Sequence, residues 1–233
     1  MKIALLGYGK MGKVIERIAL ERGHEIVLRK TSSDTFEDLH KADVAIDFSI
    51  PNAAVNNISA CLHEGVPVIS GTTGWLENYH EMVALCEEQN GAFIYGSNFS
   101  LGVNIFFELN DYLARMMSKF DQYKVEMEEI HHTQKLDAPS GTAITLANRI
   151  IENSDYSSWA LENAKDDELL INAKRIENVP GTHSVFYNSE VDTIEIKHTA
   201  HNRDGFALGS VIAAEWIIGK KGVFTMKDVL QLG

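Results

Sequence analysis

Between Glu129 and Ala143 the sequence reads Glu-Ile-His-His-Thr-Gln-Lys-Leu-Asp-Ala-Pro-Ser-Gly-Thr-Ala. Adjacent His131 and His132 can donate hydrogen bonds or protons near neutral pH. Lys135 can hold an anion or, with its pKa tuned, deliver a proton. Pro139 and Gly141 fix a loop, and Ser140 or Thr142 is a good cap for the helix that follows. The backbone N–H groups of Gly141 and Thr142 at that helix start make a site for a carboxylate. A solvated loop ending in an ordinary helix cap would use the same residue types, so the run alone does not decide between the two. Adjacent histidines are poor chelators of one ion, and no cysteine or third histidine stands at metal-ligand spacing, so no metal is expected.

A second chemical signal lies near the start. Gly7-Tyr8-Gly9-Lys10-Met11-Gly12 fits G-x-G-x-x-G between an apolar strand-like run and an amphipathic helix. Gly7 permits a tight turn, Gly9 lets backbone approach a pyrophosphate, and Gly12 lets helix and strand pack closely. The helix N-terminus adds free N–H groups and a favourable dipole. Lys10 and Met11 complete this candidate dinucleotide loop. An NAD site usually carries an acidic residue at the end of the second strand. Here that strand ends in Arg29-Lys30, which predicts NADPH over NADH, with Asp34 the remaining acidic candidate for the ribose. Phe48-Ser49 and Gly71-Thr72-Thr73-Gly74 close two further strands and outline one side of a groove, the second with small residues at the nicotinamide end.

The elements that must position these groups fall into two patterns. Through residue 95, strands at Ile3–Leu6, Glu25–Leu28, Val44–Phe48, Val66–Ser70 and Ala92–Tyr95 alternate with helices at Gly12–Arg22, Ala53–Glu64 and Leu76–Glu88. That alternation predicts an α/β fold, a Rossmann-like doubly wound parallel sheet. Beyond it, helices at Leu101–Ser118 and Ala143–Glu152 mix with strands at Tyr123–Ile130, Leu169–Ile176, Thr182–Tyr187 and Val191–Thr199. This predicts a second, α+β domain built on a mixed sheet. Residues 153–168 are polar and acidic and read as a surface excursion. Ala207–Ile218 and Met226–Leu230 return to helix.

Composition narrows the function. A net charge of −12, from 33 acidic and 21 basic residues, leaves no basic stripe for nucleic acid or an anionic membrane. No apolar run approaches the ~20 residues of a membrane span. The start, MKIALLGYGKMG, has no signal-peptide architecture. Cys61 and Cys86 occupy apolar helix positions and read as inert core thiols in a reducing cytoplasm.

At this point the sequence resembles the dihydrodipicolinate reductase family. The resemblance rests on His131–Ala143, on GYGKMG at 7–12, DFS at 47–49, GTTG at 71–74, SNFSLGVN at 97–104, HTAHNRDGFALG at 198–209 and FTMKDVL at 224–230. It implies a two-domain enzyme, usually a homotetramer. Such an enzyme reduces 4-hydroxy-tetrahydrodipicolinate, a heterocyclic dicarboxylate, to tetrahydrodipicolinate with NADPH or NADH, for lysine and diaminopimelate biosynthesis. It also implies roles. His131 would give or take a proton, Lys135 would be the general acid, and His132, Gly141 and Thr142 would bind substrate. Gly7, Met11 and Gly12 would line the pyrophosphate, Gly71, Thr72 and Thr73 the nicotinamide ribose, and Ser97, Asn98 and Phe99 the nicotinamide end. Arg203 is expected to close over the cofactor cleft. The dinucleotide-binding domain is expected at residues 1–98 plus 204–233, and the substrate-binding and oligomerisation domain at 99–203.

This chain departs from the family pattern in Ile130, where a small residue is usual, in its shorter length, and in Arg29-Lys30 where some members are acidic. A related amino-acid dehydrogenase would share the glycine loop but lack the His131–Ala143 run. An NADPH-sensing module would need neither Lys135 nor the histidine pair.

Overall fold

The computed structural model describes residues 1–31 and 33–232. The elements follow in the order β1 (Lys2–Leu6), α1 (Lys10–Glu21), β2 (Glu25–Lys30), β3 (Val44–Asp47), α2 (Pro51–His63), β4 (Val68–Ser70), α3 (Tyr79–Glu88), β5 (Ala92–Tyr95), α4 (Leu101–Met117), β6 (Lys124–His131), α5 (Gly141–Ile151), β7 (Ser158–Ala160), β8 (Glu168–Arg175), β9 (Gly181–Asn188), β10 (Thr193–Ala200), α6 (Asp204–Ile217), β11 (Gly222–Phe224) and α7 (Met226–Leu230). The chain divides into two compact units, Met1–Leu101 with Arg203–Gly233, and Gly102–Asn202.

The first unit carries a six-stranded sheet in the order β11-β5-β4-β3-β1-β2, every pairing parallel. Its strands are short continuous apolar runs because both faces are covered. β3 and β4 expose no residue at all. On one face Ile3, Leu5, Ile46 and Ile94 pack against Ile15, Ile18 and Ala19 of α1 and Val211 and Ala214 of α6. On the other, Ala4, Leu6, Val68 and Phe93 meet Ile58 and Leu62 of α2 and Met82 and Cys86 of α3. Both cysteines are buried and free. β1 pairs with β2 on one side and β3 on the other, so the sheet order reverses there. The carboxyl ends of the strands beside such a switch point are where open α/β sheets bind ligands.

The second unit is a mixed five-stranded sheet in the order β10-β9-β6-β8-β7. β6 lies at its centre, antiparallel to β9 and parallel to β8. Val125 and Met127 of β6, Ile171 of β8 and Val185 of β9 join Phe106 and Phe107 of α4 and Leu146 and Ile150 of α5 in one core. β10 has no buried residue.

Two strands escape the sequence pattern. β11 adds a sixth strand to the first sheet, and β7 lies inside the stretch read as a surface excursion. Each has three residues, too few for a period to show. Helix starts also move: α1 opens at Lys10 rather than Gly12, and α6 at Asp204 rather than Ala207.

Candidate active site

In the first unit the glycine loop runs from the end of β1 into α1. Gly7 has φ +101°, and a Cβ there would sit 2.1 Å from the Phe48 carbonyl oxygen, so the neighbouring strand end admits only glycine. Gly12 is equally constrained, since a Cβ would meet the Gly7 oxygen at 2.4 Å. Gly9 is the opposite case: it caps α1 without any side-chain hydrogen bond, and a Cβ on it would meet nothing within 4 Å. The first turn of α1 holds no acidic residue. A helix start with uncapped amides, open approach and no negative charge fits a dinucleotide pyrophosphate. Lys10 is exposed and Met11 half-buried beside it.

The two cations at the end of β2 are placed differently from one another. Arg29 donates Nε to Glu16 at 2.8 Å, and Glu16 also accepts from Tyr8. The Arg29 hydrogen bond holds the Glu16 carboxyl below its ordinary range. Lys30 is nearly buried. Its Nζ donates to the Thr31 carbonyl at 3.3 Å and lies 4.8 Å above the Phe36 ring. Asp34 accepts from the Thr31 amide at 2.7 Å.

The neighbouring strand ends are tied together by Asp47, a residue given no role by sequence. Its fully buried carboxylate accepts from Ser49 Oγ at 2.6 Å and from Asn57 Nδ2, Ser70 Oγ and Thr72 Oγ1 at 2.8 Å each. Burial pushes this carboxyl up while the four donors pull it back. Ser49 N–H donates to Thr72 Oγ1 at 2.8 Å, so Phe48-Ser49 and Gly71-Thr72 are held as one edge. The Phe48 and Phe99 rings stand 5.8 Å apart. Thr73 and Ser97 are exposed and Asn98 half-buried. Arg203 is exposed at the cap of α6.

The second unit holds the reactive run at the end of its central strand. Ser140 is the N-cap of α5, its Oγ accepting from Ala143 N–H at 3.2 Å, which settles the choice between Ser140 and Thr142. Gly141 opens the helix, and a Cβ there would meet nothing within 4 Å, so an anion can approach its backbone. Lys135 donates Nζ to both oxygens of Asp137 at 2.8 Å, and this pairing holds the Asp137 carboxyl down. His132 is half-buried next to them.

Beneath the loop lies Glu129, 0% exposed. Its Oε2 accepts from Ser140 N–H at 2.9 Å and its Oε1 from Arg175 Nη2 at 3.1 Å. Oε2 also stands 3.5 Å from His131 Nδ1 and 3.7 Å from His183 Nε2. Arg175 further donates to the Asp137 carbonyl at 2.6 Å, pinning the loop from below. Burial pushes the Glu129 carboxyl up, but the Ser140 hydrogen bonds, the charge of His131 and the Arg175 hydrogen bond bring it below its ordinary value. Burial lowers His131, against the pull of Glu129. His183 is pushed down to about 3, first by burial and then by His131.

Glu129, Arg175 and His183 went unassigned in the sequence. Strand pairing delivers them: Glu129 is the register partner of His183 across β6 and β9, and His131 of Arg175 across β6 and β8. His183, which stands at no metal-ligand spacing in the sequence, is thereby brought beside His131, with ring centroids 5.1 Å apart. Glu129, His131 and His183 offer ligand atoms within 4.8 Å of one another. Both Glu129 oxygens already accept from cationic or N–H donors, which suits a structural carboxylate better than a metal ligand.

Two family models cover this chain: dihydrodipicolinate reductase, N-terminus, matches residues 1–99, and dihydrodipicolinate reductase, C-terminus, matches residues 102–230. The chain belongs to the dihydrodipicolinate reductase family. Among members, a protein of Christiangramia forsetii named 4-hydroxy-tetrahydrodipicolinate reductase is 57% identical over 99% of this chain and 98% of its own. One of Thermosipho africanus with the same name is 34% identical over the same shares. A solved dihydrodipicolinate reductase from Paenisporosarcina sp. TG-14, bound to dipicolinate, is 23% identical and superposes with a TM-score of 0.75 over 97% of each chain. That likeness shows the fold. Aspartate dehydrogenase of Thermotoga maritima shares it more distantly, at 15% identity and a TM-score of 0.51 over 96% of this chain and 99% of its own.

Proposed function

We propose that this chain reduces 4-hydroxy-tetrahydrodipicolinate to tetrahydrodipicolinate in lysine and diaminopimelate biosynthesis, using a nicotinamide cofactor with NADPH preferred. The observation that carries the reading is the Glu129–Ala143 segment. It brings an imidazole, an ammonium and an open helix start together at the end of one strand, within a chain that matches the family from end to end.

The first unit is the dinucleotide-binding domain. Gly7, Gly9, Lys10, Met11 and Gly12 would hold the pyrophosphate; Phe48, Ser49, Gly71, Thr72 and Thr73 the nicotinamide ribose; and Ser97, Asn98 and Phe99 the nicotinamide end. Arg203 would lie over the cofactor. Arg29, with Lys30 behind it, would meet the 2′-phosphate and favour NADPH. When bound, the cofactor supplies a hydride.

The second unit binds the substrate. Backbone N–H groups of Gly141 and Thr142, at the positive end of α5, take one carboxylate, and His132 adds a hydrogen bond. Loss of the 4-hydroxyl as water leaves a conjugated imine; hydride addition to it drives negative charge towards the ring nitrogen, where His131 or Lys135 places a proton. A dicarboxylate explains why so acidic a chain concentrates cations and helix-end amides here. The assembly is a homotetramer acting in the cytoplasm. Among the described residues no helix is long and apolar enough to cross a membrane.

The test is a coupled assay in which pyruvate, aspartate semialdehyde and the upstream synthase generate the labile substrate in place. Oxidation of NADPH that depends on this protein, faster than that of NADH, is expected. A folded protein that binds NADPH but oxidises neither cofactor would overturn the reading.

A further inference from the structure

The reactive histidine and the anion-binding helix start have one buried neighbour in common. Glu129 Oε2 receives Ser140 N–H at 2.9 Å and stands 3.5 Å from His131 Nδ1. That nitrogen is buried and has no hydrogen-bond partner among the described residues. The other ring nitrogen, Nε2, points towards Gly181, whose missing side chain leaves it space: a Cβ there would come within 3.2 Å. Oε1 is taken by Arg175 at 3.1 Å, and the same guanidinium donates to the Asp137 carbonyl. A fully buried carboxylate is costly unless it is paired and hydrogen-bonded. Here each of its partners belongs to, or holds, the reactive run.

We propose that Glu129 is a positioning residue of the reduction. Its carboxylate fixes the His131 ring relative to the start of α5, directs the Nδ1–H inward, and supplies the counter-charge when the imidazole carries a proton. This rests on the function proposed above. The ring is thereby left with Nε2, beside Gly181, as the nitrogen turned away from Glu129, and the distance between proton donor and carboxylate site is set by a single group. Orientation of an imidazole by a carboxylate on its inner nitrogen is a general device of histidine chemistry.

The geometry selects the variant. Both Glu129 oxygens accept from donors, so in Glu129→Gln the amide NH2 must oppose either Ser140 N–H or Arg175. The charged and titratable groups around His131 are Glu129, Lys135, Asp137, Arg175 and His183, and the variant removes one negative charge from this set. In Glu129→Gln, kcat should fall on the order of ten- to a hundred-fold, with NADPH binding unchanged. The limb on which activity is lost as His131 deprotonates should move to lower pH. Glu129→Asp, which keeps the charge, should restore that limb while remaining slower. Nitrogen-15 NMR of the imidazoles in the unmodified protein gives a test independent of any variant. Neutral His131 is expected as the Nδ1–H tautomer. An Nε2–H tautomer, or a Glu129→Gln enzyme with an unmoved pH profile, would overturn the proposal. Absence of turnover in the unmodified protein would instead sink the function proposed above, and the tautomer would still report on Glu129.

Discussion

His183 Nε2 lies 3.0 Å from Ser140 Oγ, a bond between residues 43 apart that joins β9 of the second unit to the cap of α5. His183 stays neutral in the folded chain down to about pH 3, mainly because it is buried, whereas its ordinary value is 6.5. Below pH 6.5 the unfolded chain takes up a proton that the folded chain refuses. Stability should therefore fall with pH through this window, at about 1.4 kcal/mol per unit from this residue alone. Denaturant unfolding of the parent and of His183→Gln between pH 7 and pH 4 checks it: the variant's stability should depend less steeply on pH.

Lys135 Nζ donates to Asp137, and the side chain lies outside the apolar core of the second unit. Lys135→Ala should fold normally and bind NADPH as before, yet lose about a hundredfold or more in kcat, the usual scale for a general acid. Steady-state kinetics together with cofactor titration separate the two effects. Equal activity would remove Lys135 from the chemistry.

Gly7 and Gly9 make a matched pair of tests. Gly7→Ala forces a Cβ to 2.1 Å from a backbone oxygen at φ +101°, and should cost about 2 kcal/mol of stability as well as cofactor affinity. Gly9→Ala meets nothing within 4 Å. Its stability should stay within about 0.5 kcal/mol of the parent while NADPH binding weakens, because the added methyl stands where, under the proposed function, a pyrophosphate would approach. Thermal unfolding and fluorescence titration read the two quantities separately.

Under the proposed function, cofactor preference should turn on Arg29 more than on Lys30. The Arg29 side chain is 43% exposed beside Glu16, whereas Lys30 is folded over Phe36. Arg29→Ser should lower kcat/KM with NADPH by about tenfold, the value of roughly 1.4 kcal/mol, and leave NADH nearly unaffected. A parallel fall with both cofactors would assign Arg29 to the Glu16–Tyr8 cluster alone.

Much of this was legible before any coordinates. The parallel sheet announces itself through apolar runs at β1, β3 and β4 alternating with helices, because burial on both faces selects apolar residues along such strands, with Asp47 and Ser70 standing only at the carboxyl ends of β3 and β4. The Gly7–Gly12 loop and the His131–Thr142 run are continuous in sequence, so spacing alone exposes them. Asp47, Arg175 and His183 are different. Each looks like an ordinary polar residue in or beside a strand, and its meaning comes from a register partner or a neighbouring strand end supplied by the fold. Glu129 stood in view within the run, but only its burial and its two donors distinguish it from a surface acid.

The outermost strand on one side of the six-stranded sheet, β11, comes from the last part of the chain, while its partner β5 ends at Tyr95. Everything between them includes the whole of the second unit. A chain emerging from the ribosome thus presents Gly102–Asn202 complete while the β5 edge is still bare and α6, half of one face's cover, is not yet made. The unit that would hold the cofactor is begun first and finished last, and truncation within α6 or β11 should leave Gly102–Asn202 intact and the other unit with an open sheet edge that aggregates.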